Sequence, residues 1–353
     1  ERELLKAPAA GYCLNYEEGV VESSDARLVG QWIFAHRSEG EVPLNYCRLE
    51  GGEYDCSAKA WRLDLTDTLQ GGQRRTRARV VVNAAGVWTD SINERFRRES
   101  PYRHVFSKGV FLGLPRDPRH QLPLMVRSES QSDYLCLVPW GPISLWGPTE
   151  TVIADPAQGF QIQPDDIRIL LNEFHAHFAP RVTPAEIVSL RCGVRPLAVP
   201  RKYDCHGSSL HLTRGHRMHP DPERPWISIY GGKLTACASL VRSVLRVIEG
   251  LLSPRGQKAR GSDGAVPPVE YDRFPGLTQE VPAASWCLQN EMCYTLEDYL
   301  RRRTNIAQWV PRGGLGREDE YHRHVAGLAE VFQIGNGGPV PDPGALYRRK
   351  IQH

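Results

Sequence analysis

Apolar positions along the chain change period several times, and each change marks an element. Trp226–Tyr230 (WISIY) is a short, largely apolar and partly β-branched run, and Gly231-Gly232 follows it as a turn signal. Leu234, Val241, Val244, Leu245 and Ile248 then recur at helical spacing, so strand, glycine turn and helix are expected over 226–249. Such a unit leaves backbone N–H groups unpaired in the first helical turn, where an anion can bind. Arg79–Val82 is a continuous apolar run, predicted to be a parallel strand buried on both faces, and NAAGVW (83–88) is its turn. Small residues at a strand's carboxyl end allow a ligand to approach the backbone.

Upstream, Tyr12, Leu14 and Tyr16 alternate like a strand. Ser23-Ser24-Asp25 offers an N-cap to a helix carrying Ala26, Leu28, Val29 and Trp32. A short strand around Leu44–Leu49 and a hairpin region through residue 75 come next. From 102 to 225 short strands alternate with Pro/Gly turns, and 134–150 reads as an antiparallel hairpin turning at Trp140-Gly141-Pro142. Residues 164–179 predict an amphipathic helix with Pro164 at its start and acids in its first turn. Residues 285–330 read as helices, with Thr295 as an N-cap.

An antiparallel sheet between two parallel-type segments implies one domain inserted into another. The expected division is 17–98 with 226–252, then 99–225 as the insert. A Gly/Pro-rich linker at 253–268, a helical unit at 269–330 and a mobile tail at 331–353 complete it.

Composition narrows the chemistry. The 353 residues are 41% hydrophobic, enough for two domain cores, and the net charge of +3 gives no electrostatic footprint for nucleic acid. Nine scattered cysteines without C-x-x-C suit a reduced, intracellular compartment. No apolar run is long enough to span a membrane. Cys205, His206, His211, His216 and His219 match no tetrahedral metal spacing, so no metal is expected. Arg195, Arg214 and Lys233 would form an anion pocket for phosphate or carboxylate if the fold gathers them.

Seven segments then occur in a telling order. They are DARL (25–28), ARVVVNAAGVWTDSI (78–92), LVPWGPISLWGPTE (137–150), GVRPL (193–197), LTR (212–214), IYGGKLT (229–235) and TLEDYLRRRT (295–304). This set resembles the flavin-dependent glycerol-3-phosphate dehydrogenases, of the D-amino-acid oxidase-like fold. The resemblance implies an α/β and α+β protein, with a discontinuous Rossmann-like FAD-binding domain, an antiparallel substrate domain and a carboxyl-terminal helical segment.

It implies FAD as cofactor, approached by Ala84, Ala85, Gly86 and Trp88, by Gly231, Gly232, Lys233, Leu234 and Thr235, and by the backbone near Leu49. Trp88 is expected to pack, or else to wall the site. Arg195, Arg214 and Lys233 would hold a phosphorylated substrate, with Arg195 and Lys233 at the catalytic centre. A helix beginning at Leu234-Thr235 would place positive potential at the flavin's pyrimidine edge. The implied reaction oxidises sn-glycerol 3-phosphate to dihydroxyacetone phosphate, with electrons passing to a quinone or another acceptor. The cytoplasm is the implied compartment, with any membrane contact peripheral to the inner face.

Departures are also visible. No G-x-G-x-x-G occurs in the chain, and a fragment boundary is the expected reason. Phe111 stands where the family usually has the histidine of K-G-S-H, Ala85 replaces a threonine, and Pro148 interrupts G-T-T-D. Two other readings stay open: an amine or hydroxy-acid oxidase, with Arg195 holding a carboxylate, and a non-catalytic binding or scaffold remnant.

Overall fold

In the computed structural model, residues 4–6, 17, 19–21, 23–35, 41–130, 133–203, 212–252 and 267–336 are described. The expected strand at Tyr12–Tyr16 and residues 253–266 of the expected linker lie outside them.

Helix α1 (Asp25–Ala35) starts where Ser24 and Asp25 predicted, but it does not bury the predicted face. Val29 and Trp32 are exposed, and Arg27 is the buried side chain. A meander of β1 (Cys47–Asp55), β2 (Ala60–Asp67) and β3 (Gln73–Ala78) follows, longer and later than the strand expected at Leu44–Leu49. Strand β4 (Val81–Asn83) leads through a 3-10 turn at Gly86–Trp88 into α2 (Thr89–Arg95). Its Val81 and Val82 are only half-buried, so the expectation of burial on both faces fails. The reason lies in the topology: β4 is the edge of a three-stranded sheet.

The inserted part is a six-stranded antiparallel sheet. It contains β5 (Tyr102–Pro115), β6 (Leu124–Arg127), β7 (Tyr134–Trp140), β8 (Ile143–Gly147), β9 (Thr151–Ile153) and β10 (Ser189–Pro200). The β7–β8 hairpin turns at Gly141, as the sequence indicated. Helix α3 (Pro164–His177) covers one face of the sheet, its start fixed by a Gln163–Asp166 capping box. Leu170, Leu171, Phe174 and Phe178 pack there on Val110, Leu112 and Trp146.

Strand β11 (His216–Pro220) runs antiparallel to β12 (Trp226–Gly231), and β12 runs parallel to β4. The expected boundary at 225/226 therefore cuts a hydrogen-bonded strand pair: β11 belongs with β12. Helix α4 (Cys237–Leu251) follows a 3-10 turn at Leu234–Ala236, so the α-helix starts later than expected. Of its predicted apolar positions Val244 is buried, while Val241 and Leu245 are exposed.

A two-stranded sheet, β13 (Tyr271–Arg273) and β14 (Glu280–Pro282), opens the carboxyl-terminal unit. Helices α5 (Ala284–Asn290), α6 (Leu296–Asp298), α7 (Ile306–Trp309) and α8 (His322–Asn336) complete it. Thr295 caps α6 as expected, its hydroxyl accepting from the Asp298 amide. Helix α8 continues to Asn336, so the expected tail does not begin at 331. No helix among the described residues is long and apolar enough to cross a membrane.

Candidate active site

The two small-residue turns lie side by side. Because β4 and β12 are adjacent and parallel, their carboxyl ends deliver Ala84–Trp88 and Gly231–Thr235 to one sheet edge. Ala84, Gly86, Trp88, Gly232, Lys233, Leu234 and Thr235 are exposed there, with Ala85 and Gly231 half-buried. Trp88 is 45% exposed, which overturns the expectation that it packs. Gly86 has φ +58°, and a side chain at that position would point into open space.

A buried polar network fixes the strand ends. Asn93 of α2 is its hub: its Oδ1 accepts from Asn83 Nδ2 (2.9 Å), Trp226 Nε1 (3.0 Å) and Ser228 Oγ (3.0 Å). Asn93 Nδ2 in turn donates to the Tyr230 hydroxyl at 2.7 Å. Every member lies on β4, α2 or β12, so the network sets the spacing of the two turns.

Arg195 lies on β10 opposite Ser107 of β5. Its guanidinium lies over Gly109, where an added Cβ would come within 2.6 Å of Nη2. Its Nη1 is buried without a hydrogen-bond partner. Burial pulls its pKa below the ordinary arginine value, Glu150 pushes it back up, and Arg214 adds to the lowering. Arg214 faces Glu150 at 3.7 Å and Asp133 at 3.9 Å. Arg195 and Arg214 are thus within electrostatic reach of each other around Glu150.

Lys233 is exposed on the Gly231 turn. That turn abuts both arginine segments, because a Cβ on Gly231 would lie 2.9 Å from the Gly215 carbonyl and 3.2 Å from Ala198 of β10. A cavity of about 340 Å³ runs along this sheet face, lined by Gly109, Phe111, Leu145, Arg191, Gly193 and Arg195. Leu49 is not part of the cluster. It packs with Trp61 and Trp226 in a separate core, and its carbonyl accepts from Arg95 Nη1 at 2.9 Å.

Sequence reasoning missed Glu150, Asn93 and His104. The first two lie inside quoted motifs or beside them, whereas His104 is a single histidine in a strand, with no pattern to reveal it. His216 and His219 sit on β11, Cys205, His206 and His211 lie outside the described residues, and among the described residues no group could hold a metal.

Two glycine-bearing turns at one parallel edge, with Arg195 on the antiparallel sheet and Arg214 just before β11, define the class. Residues 3–237 match the family model described as FAD dependent oxidoreductase, and the chain belongs to that family. Among curated relatives, the aerobic glycerol-3-phosphate dehydrogenase of Escherichia coli is 27% identical over 190 residues, covering 52% of this chain and 37% of that protein. A glycerol-3-phosphate dehydrogenase of Mycobacterium leprae is 31% identical over 175 residues, covering 48% and 28% respectively. The chain thus spans about a third of the length of such relatives. Among solved structures, the glycerol-3-phosphate dehydrogenase from Bacillus halodurans complexed with FAD superposes with a TM-score of 0.62 at 18% identity. It covers 88% of this chain and 68% of that one.

The residues at the sheet edge leave room for FAD: the turn backbones are accessible, and nothing stands where a side chain at Gly86 would point.

Proposed function

We propose that the chain supplies the flavin-ring wall and the substrate pocket of an oxidoreductase that converts sn-glycerol 3-phosphate to dihydroxyacetone phosphate. The observation that carries this reading is Arg195, whose Nη1 is buried without a partner on β10, the strand that packs against β12 and the Gly86–Trp88 turn. An arginine desolvated to that degree favours an anion with several acceptor oxygens, as a phosphate monoester has. Ala84–Trp88 and Gly231–Thr235 would hold the flavin ring, whose bound form supplies the hydride acceptor. Arg195 and Arg214 would fix the phosphate, and Lys233 would reach the substrate from the turn, orienting the carbinol carbon toward the flavin. Glu150 keeps Arg214 engaged at 3.7 Å until a phosphate takes its place. Electrons would leave to a quinone or another acceptor, and contact with a membrane would be peripheral.

The test is anaerobic titration of the FAD-loaded protein with sn-glycerol 3-phosphate. Bleaching of the flavin absorbance supports the reading, and its loss in Arg195→Ala locates the phosphate. Bleaching by an amino or hydroxy acid alone would replace the substrate. A protein that takes up no FAD would remove the enzymatic reading.

A further inference from the structure

The two turns are joined by a third element. His104 of β5 has a side chain with no exposed surface, and both of its ring nitrogens are engaged. Nδ1 lies 2.8 Å from Asp90 Oδ2, and the same oxygen accepts from the His104 amide at 3.0 Å. Nε2 lies 3.1 Å from the amide nitrogen of Gly231. Asp90 is in the first turn of α2, two residues after Trp88, and Gly231 opens the Gly231–Lys233 turn.

The chemistry of these partners fixes the imidazole. A backbone N–H can only donate, so Nε2 must carry its lone pair, and the proton must sit on Nδ1 facing the Asp90 carboxylate. An imidazolium would set two N–H donors against each other at Gly231. We infer that His104 is a positioning residue: as the neutral Nδ1–H tautomer it ties the Gly231 turn to α2, and so sets where Lys233 stands relative to Ala84–Trp88. Its importance to the reaction rests on the reading of these turns as the flavin wall, but the bridge itself can be tested without flavin.

Packing does not account for the arrangement. The ring also lies 5.1 Å from Tyr230 and 5.9 Å from Phe106, contacts that a leucine of similar volume would largely keep. The Gly231 N–H would then lose its acceptor in a half-buried position. A glutamine, in contrast, can bring its amide oxygen to where Nε2 stands.

The test uses the whole chain in three measurements. NMR of labelled histidine ring nitrogens should show an Nδ1–H tautomer whose signal vanishes in His104→Gln. Backbone hydrogen exchange over 229–235 should be roughly fivefold faster in His104→Leu, the factor one net hydrogen bond is worth, and close to wild type in His104→Gln. Where His104→Leu does not fold, Asp90→Ala serves, because it removes the acceptor that selects the tautomer; faster exchange over 229–235 is again expected. An Nε2–H tautomer in the wild type overturns the inference. So does equal exchange in the leucine and glutamine variants, or wild-type exchange in Asp90→Ala. If the bridge is confirmed but the protein takes up no FAD, the functional reading fails and the bridge stands.

Discussion

Arg27 and Glu291 are 264 positions apart and meet in a buried ion pair, Nε to Oε1 at 3.0 Å. Their side chains are 8% and 3% exposed, and the Glu291 carboxylate also lies 3.7 Å from Arg303 Nε. One carboxylate therefore ties α1 to the carboxyl-terminal unit. Two arginines around a single acid satisfy a buried charge that would otherwise be costly to desolvate.

Removing the acid strands Arg27 and takes the counter-charge from Arg303, which keeps its two hydrogen bonds to the Glu291 carbonyl. Glu291→Ala is expected to lower unfolding stability by about 3–5 kcal/mol, the usual cost of breaking a buried pair from one side. Urea unfolding checks this. A loss under about 1 kcal/mol would mean that water reaches the arginines.

Glu173 makes a pH-dependent contribution. Its carboxylate is 4% exposed, and burial alone would raise its pKa. The hydroxyls of Ser130 and Ser128 and the amides of Glu129 and Ser130 donate to it and bring the net shift below the ordinary value of 4.5. A depressed carboxylate pKa stabilises the fold above the unfolded value, and that stability is lost as pH falls through the folded one. Glu173→Gln should therefore cost roughly 1–3 kcal/mol at pH near 6. The gap from wild type should narrow when urea unfolding is repeated below pH 4.

These two acids show which parts of the structure were legible in the sequence. Local devices were readable: the Gly141 hairpin, the Pro164 helix start and the Thr295 cap each act within a few residues. The two glycine turns were readable too, because a strand's end and its small residues are adjacent in the chain. What failed depended on distant partners. The Arg27 side of α1 is buried because Glu291 waits there, and no periodicity in DARLVGQWIFA signals it. His104 bridges to a residue 127 positions away. Trp88 looked like a packing residue by type, but the edge position of β4 leaves it exposed.

Gly231 sits where a side chain has no room. Its φ is +62°, and an added Cβ would lie 2.9 Å from the backbone oxygen of Gly215, which cannot swing away as a side-chain tip could. Gly231→Ala is expected to cost about 1–2 kcal/mol from the left-handed backbone alone, with the contact adding to it. Thermal unfolding gives the cost. Hydrogen exchange over 229–235 should rise with it, since the donor to His104 moves.

Gly109 is the complementary case. Its Cβ would meet Arg195 Nη2 at 2.6 Å and Nη1 at 2.7 Å, the far end of a flexible side chain. The guanidinium can move away, so Gly109→Ala should change stability by under about 1 kcal/mol. Moving it should nonetheless weaken phosphate binding roughly tenfold, because a charge-assisted hydrogen bond depends on distance and direction. Isothermal titration with sn-glycerol 3-phosphate, alongside thermal unfolding, separates the two effects. Unchanged affinity with unchanged stability would place the phosphate elsewhere than Arg195. A large loss of stability would show instead that Arg195 is held rigidly over the glycine, with the strand forced to move in its place.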